Sequence, residues 1–446
     1  MSRTPICDFV EAYRQSNAMR LHMPGHKGGT VLGPEALDIT EIEGADVLYH
    51  ANGIIRQSEQ IASELFETAR TLYSAEGSSL CIRAMLHLIA LNARAQGKRP
   101  LILAARNAHK VFITAAALLD IDVCWLYPEQ PTSVVSCKLK ISEVERALQA
   151  HQPSALYVTS PDYLGNCADI RALSSLCHQY GALLAVDNAH GAYLKFLPAS
   201  RHPMDLGADI CCDSAHKTLP VLTGGAYLHI ARTAPQTLVD NAANAMALFA
   251  STSPSYLILQ SLDRANRYLS EGYADKLADF TSLLARARAE VCAYGYGMPG
   301  DEPLKWTLAP KCIGWRGDEL AGHLMHKKMV VEFADPDFVV MMFTPEMEEA
   351  ALRQLVKVLT GVPRKAPIAD KPPAIGRPRR RMSPREALFA PQEIIPAAQA
   401  AGRVLAAPSV TCPPAVPVVA CGEEITASAV DCFAYYGIES CSVVIE

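Results

Sequence analysis

Ser214-Ala-His-Lys217 follows directly on the apolar run Asp209-Ile-Cys-Cys212. A lysine just past a buried strand can reach back over the sheet edge and form an imine with an aldehyde, while Ser214 and His216 can donate hydrogen bonds to a phosphate dianion. Taken alone, a lysine is far more often an ordinary solvated side chain. Three other features bear on that choice. Gly77-Ser78-Ser79 precedes the apolar stretch Leu80 to Leu91, and backbone N–H groups with small hydroxyls at a helix start bind phosphate; a serine-rich N-cap has the same pattern. Asp187 ends the apolar run Leu183 to Val186. Ligands of open α/β sheets sit beyond such carboxyl ends, where an acid can keep a pyridinium nitrogen protonated; a helix cap or surface acid is the alternative. His109, in Arg106-Asn-Ala-His-Lys110, can stack on a cofactor ring or serve structure alone. Together the four read as a pyridoxal phosphate site with Lys217 as its Schiff-base lysine.

The elements around these residues predict an α/β fold. Ser58 to Leu72 and Ser78 to Ala95 read as amphipathic helices. Short continuous apolar runs follow at Leu101–Ala104, Val123–Leu126, Ala155–Thr159, Leu183–Val186, Asp209–Cys212 and Ala226–Ile230. Such runs, separated by helical stretches, fit strands buried on both faces of a mostly parallel sheet. Residues 236–295 read as helical. The expected division is an N-terminal segment 1–55, a large cofactor-binding domain 56–298, the first part of a small domain 299–362, a Pro-rich basic linker 363–384 and a C-terminal domain 385–446. The linker is expected to be a solvated extended connector.

Seven ordered motifs resemble the Orn/Lys/Arg decarboxylase family, bacterial pyridoxal phosphate enzymes of fold type I, the aspartate aminotransferase-like class. They are Leu21-His-Met-Pro-Gly-His-Lys-Gly-Gly29, Asp38-Ile-Thr-Glu-Ile-Glu-Gly-Ala-Asp46, Glu76-Gly-Ser-Ser79, Arg106-Asn-Ala-His109, Thr159-Ser-Pro-Asp-Tyr-Leu-Gly165, Val186-Asp-Asn-Ala-His-Gly-Ala192 and Ser214-Ala-His-Lys-Thr-Leu-Pro220. The tail Cys412-Pro-Pro-Ala-Val-Pro417 with Gly422-Glu423 resembles the family's C-terminal domain. The resemblance implies a mostly parallel large domain with a smaller α+β C-terminal domain. It also implies the compact form, without the family's response-regulator-like N-terminal domain. Lys217 would carry the cofactor, Asp187 pair with the pyridinium, Ala189 pack under the ring and His109 stack above it. Gly77, Ser78, Ser79, His190, Ser214 and His216 would complete the cofactor site. The implied reaction is decarboxylation of lysine, arginine or ornithine.

A basic substrate side chain needs an acid partner, because an unpaired cation is costly to desolvate. The candidates are Glu332, Asp335, Asp46 and Asp162, with Glu332 favoured by the resemblance. The family often has Glu where this chain has Asn188 and commonly Thr where it has Asp162. The alternatives are another fold type I reaction (aminotransferase, aldolase or oxidative deaminase) or a catalytically silent regulatory relative. A net charge of -5 argues against a nucleic-acid partner. The 14 cysteines form no Cys-x-x-Cys pair, so neither a metal site nor a disulfide framework is expected. A polar N-terminus and the lack of any long apolar run predict a cytoplasmic protein that crosses no membrane. Fold type I sites are generally built across a dimer interface, so a homodimer or larger homo-oligomer is implied.

Overall fold

The computed structural model describes residues 3–128, 137–374, 376–410 and 417–445. Seven strands form one mostly parallel sheet: β1 (Arg70–Ser74), β2 (Leu101–Ala105), β3 (Asp122–Leu126), β4 (Ala155–Thr159), β5 (Leu183–Asp187), β6 (Ile210–Asp213) and β7 (Ala226–Ile230). Every residue of β5, β6 and β7 is buried. That is the condition under which apolar runs lose their alternation, and it is why these strands stood out in the sequence. The chain divides into two compact units, residues 1–100 with 170–276, and residues 101–169 with 277–446.

In the first unit the strands lie in the order β1-β7-β6-β5. β5 and β6 are parallel, and β7 runs antiparallel to both β6 and β1. One expectation needs correction here. The helix expected over Ser58 to Leu72 is a helix only over Ile54–Leu65, and the chain then turns into β1. Glu67 adopts a left-handed backbone, φ 55°, which ends the helix. Within the helix itself lies a buried acid, Glu59, whose Oε1 accepts from the Tyr73 N–H at 3.0 Å. Burial pushes its carboxyl up to about 7 from an ordinary 4.5. The folded state therefore holds the proton more tightly, and stability present at low pH is lost as pH rises from about 4.5 through 7. Glu59→Gln keeps the acceptor and removes the charge. It is expected to raise stability by on the order of 3 kcal/mol above pH 7.5 and to change little at pH 5, as read by chemical denaturation across pH.

The second unit holds β4-β2-β3 in that order, all parallel where paired. It also has an antiparallel sheet of β8 (Lys305–Leu308), β9 (Phe333–Ala334) and β10 (Val339–Met342) in the order β8-β10-β9. β11 (Gln392–Pro396) and β12 (Ser440–Val444) form an antiparallel pair near the chain's end. The Pro-rich basic segment is mostly exposed, as expected of a connector, but it is tied down along its length. The Ile313 and Lys311 carbonyls accept from the Lys365 and Ile368 N–H groups. The side chain of Arg380 bonds Asp122 on β3 at 3.5 Å, and Arg381 bonds Glu424 at 2.9 Å. Two residues of the triplet Arg379-Arg-Arg381 are thus in ion pairs, and the segment lies along strand β3 at the end of its row, where charged cover prevents a stray chain from pairing.

Candidate active site

In the first unit four chain segments meet one edge of the sheet. β5 delivers Asp187 and β6 delivers Asp213, in parallel register with Asp187 opposite Cys212. The turn Ala215–Thr218 after β6 carries Lys217, whose Nζ lies 3.3 Å from Nε2 of His190 in the turn after β5. Asp187 is buried, and its Oδ1 accepts from the Ala189 N–H at 3.2 Å and from the Cys212 thiol at 3.7 Å. Ala189 and His190 are buried beside it. The sheet thereby holds the amine and the acid on neighbouring strands.

The fourth segment is the helix Gly77–Ala95, which begins beyond β1 with no side chain capping it. The Gly77 N–H donates to the Gly224 carbonyl at 2.7 Å, and the N–H groups that follow it in the first turn, uncapped by any side chain, suit an anion. Gly77 adopts φ 70°, a conformation that favours glycine, and a Cβ there would meet nothing within 4 Å, so the space over the helix start is clear. The Ser214 hydroxyl donates to Ser78 Oγ at 2.7 Å, joining the lysine turn to the helix start, and Ser79 follows in the first helical turn. His216 Nδ1 donates to the Gly225 carbonyl at 2.9 Å. Burial holds its imidazole below the usual histidine range, so it stands as a neutral group.

Asp46 also belongs to the first unit. It accepts from the N–H groups of Val47, Asn52, Gly53, Ile55 and Arg56 at 2.8 to 3.3 Å. Burial acts to raise its carboxyl, but the backbone donors win and hold it below the usual range. It caps the helix Ile54–Leu65 rather than presenting a free carboxylate. Asp46→Ala is expected to cost about 1–2 kcal/mol in denaturant-induced unfolding.

The other predicted residues lie in the second unit. His109 is the N-cap of the helix Lys110–Leu119, its Nδ1 accepting from the Val111 N–H. Three residues earlier, the buried Arg106 guanidinium is gripped by both oxygens of Glu423 at 2.7 and 2.6 Å and by the Pro417 carbonyl at 3.2 Å. It also lies over the rings of Trp125 and Tyr127. Asp162 is buried and closes its turn by accepting from the Asn166 backbone and side chain at 2.8 to 3.0 Å. Asp335 Oδ1 likewise takes the N–H groups of Asp337 and Phe338 at 2.7 Å, and burial raises its carboxyl to about 6. Glu332 is exposed, accepts from the Tyr163 hydroxyl at 3.4 Å, and lines a cleft of about 680 Å³ with Met329, Met341, Met342 and Phe343. Of the four acids proposed for a substrate cation, Glu332 is the one whose carboxylate is not spent on backbone turns. The Cys412–Val416 part of the tail motif lies outside the described residues.

Sequence reasoning missed two buried constellations. Asp213 Oδ2 accepts from Nε2 of His202 at 2.9 Å and of His229 at 3.2 Å, all fully buried. Lys305 pairs with Glu302 at 3.0 Å with both side chains enclosed. A signal for the first was present: Asp213 and His229 interrupt apolar strands, and a buried polar group there demands a partner.

An α/β sheet with a lysine, a carboxylate and a hydroxyl-lined helix start along one edge defines an enzyme of the fold type I class. Residues 4–292 match the family model described as Orn/Lys/Arg decarboxylase, major domain. The chain belongs to that family and is an amino-acid decarboxylase. It is 29% identical to the arginine decarboxylase of Halalkalibacterium halodurans, over 96% of this chain and 92% of that protein. It is also 29% identical to the arginine decarboxylase of Bacillus subtilis, over 95% and 91%. The fold is similar to lysine decarboxylase A from Pseudomonas aeruginosa, with TM-score 0.83 and 18% identity, covering 99% of this chain and 80% of that one.

Proposed function

We propose that the chain removes carbon dioxide from a basic amino acid, arginine before lysine or ornithine, with pyridoxal phosphate on Lys217. The observation that carries this reading is the edge itself: Lys217 beside His190, Asp187 at the end of the neighbouring strand, and the Ser78–Ser214 pair at an uncapped helix start. These residues suit the cofactor chemically. Buried Asp187 can keep a proton on a ring nitrogen, Ala189 leaves room for a flat ring, Ser78 and Ser79 offer N–H and O–H donors to a phosphate beside the side-chain-free Gly77, and Ser214 is held against them by its bond to Ser78. The bound cofactor supplies the electron sink for breaking the Cα–carboxylate bond.

The chain's own residues supply position and protons. Lys217 Nζ would hold the cofactor aldehyde, and its amine would be the group to return a proton to the substrate Cα. His190 fixes that amine, and neutral His216 steadies its turn against the Gly225 carbonyl. The family resemblance would give His109 the outer face of the ring and Glu332 the distal cation of the substrate. The arginine preference is carried over from the two arginine decarboxylases named above. The same reading makes the enzyme a cytoplasmic homodimer or larger homo-oligomer whose amine product enters polyamine biosynthesis; no helix among the described residues is long and apolar enough to cross a membrane. The test is a panel of arginine, lysine and ornithine with pyridoxal phosphate. Carbon dioxide with agmatine, cadaverine or putrescine is expected; a keto acid or ammonia in their place overturns the reading.

A further inference from the structure

Behind the lysine and the acid, a side-chain contact joins the two turns that carry them. The Asn188 N–H donates to the Cys212 carbonyl at 3.0 Å, extending the β5–β6 ladder by one residue. The Asn188 side-chain Nδ2 then donates to Asp213 Oδ1 at 2.7 Å. Asn188 sits between Asp187 and Ala189, and Asp213 adjoins Ser214, so the contact spans the two cofactor-facing turns. Asp213 is itself fixed from behind, since its other oxygen receives both His202 and His229. An ionised carboxylate only accepts, so both imidazoles donate from Nε2. His229 is fixed in turn by Thr71 at 2.8 Å on its Nδ1. On the Asn188 side the space is shaped for the amide: a Cβ on residue 191 would lie 2.0 Å from Asn188 Oδ1, so only glycine fits there.

We infer that Asn188 and Asp213 are positioning residues: their hydrogen bond clasps the Asp187–His190 turn to the Ser214–Lys217 turn and sets the site for the cofactor. This rests on the proposed pyridoxal phosphate reading. The arrangement also fixes which side carries the charge. Two carboxylates at this distance cannot both stay ionised in a buried site, so residue 188 must be neutral while residue 213 is an acid. Exchanging them restores every bond on paper. With Asn188→Asp and Asp213→Asn together, the amide of residue 213 donates to residue 188, and its oxygen still accepts from His202 and His229.

The experiment compares the full-length protein with N188A, N188D and the N188D/D213N exchange. It reads pyridoxal phosphate affinity by absorbance titration, the pH midpoint of the bound cofactor's absorbance, and the melting temperature without cofactor. N188A is expected to bind about tenfold more weakly with a displaced pH midpoint, the size of one buried charge-assisted bond. N188D is expected to be worse than N188A, and the exchange to recover to within about threefold of the unmodified protein. An exchange no better than N188D, or an N188A protein with unaltered affinity and pH midpoint, overturns the clasp. So does a loss of affinity that only follows melting temperature across the set. If the unmodified protein takes up no pyridoxal phosphate, the cofactor reading falls and the clasp falls with it; if it does and N188A matches it, the clasp alone falls.

Discussion

Lys217→Ala is expected to lower amine formation at least about a thousandfold while the protein stays folded. The turn Ala215–Thr218 tolerates alanine well, since its shape is set by backbone bonds, with the Lys217 N–H on the Ser214 carbonyl and the His216 N–H on the Gly225 carbonyl. What alanine removes is the amine at that edge, 3.3 Å from His190 Nε2, that would hold the cofactor aldehyde. Borohydride treatment before digestion and mass spectrometry distinguishes the cases. The unmodified protein should carry a pyridoxyl group on the peptide containing Lys217, and the variant none. A variant that is still covalently labelled elsewhere at full occupancy would refute the assignment of this lysine. Melting temperature guards against a trivial loss of fold.

The second large effect concerns stability. Glu423→Ala is expected to destabilise the protein by about 3–5 kcal/mol, because it leaves the Arg106 guanidinium charged, enclosed and without its carboxylate. Both side chains are essentially sealed from water, at 0% and 4% exposure, and two short hydrogen bonds join them. Burial alone would lower the guanidinium's affinity for its proton, and the Glu423 carboxylate more than offsets this. Trp125 and Tyr127 can still face the cation but cannot replace a bidentate acceptor. Glu423→Gln, which keeps one acceptor and the volume, should lose less. Urea unfolding of the three proteins checks the order; equal midpoints would show that the pair contributes nothing.

The readable parts of this molecule share one physical cause. Strands β2 to β7 announced themselves because burial on two faces leaves continuous apolar runs, and Lys217 and Asp187 were visible because each directly follows one. β1 was lost to the preceding helix. Leu72 continues the helical spacing of Leu65, and what ends the helix is a left-handed backbone at Glu67 together with pairing to β7. Neither leaves a local trace. The substrate acids show the limit from the other side. Asp46, Asp162 and Asp335 look like free carboxylates in sequence but are consumed by backbone N–H groups of their own turns. The Asp213 network stayed hidden because His229 reaches it through the pairing of β7 with β6 and His202 from the loop before β6, and the Arg106 partner because it lies far along the chain.

That last distance has a bearing on how the protein is made. Arg106 and Glu423 are separated by 317 residues. On the ribosome, the segment carrying Arg106 and His109 emerges early, at a few to some tens of residues per second. Its guanidinium must wait, with its aromatic neighbours, until a further 317 residues have been synthesised. During that interval the second compact unit cannot close around it. The segment carrying Glu423 thus acts as the latch on one laid down 317 residues earlier.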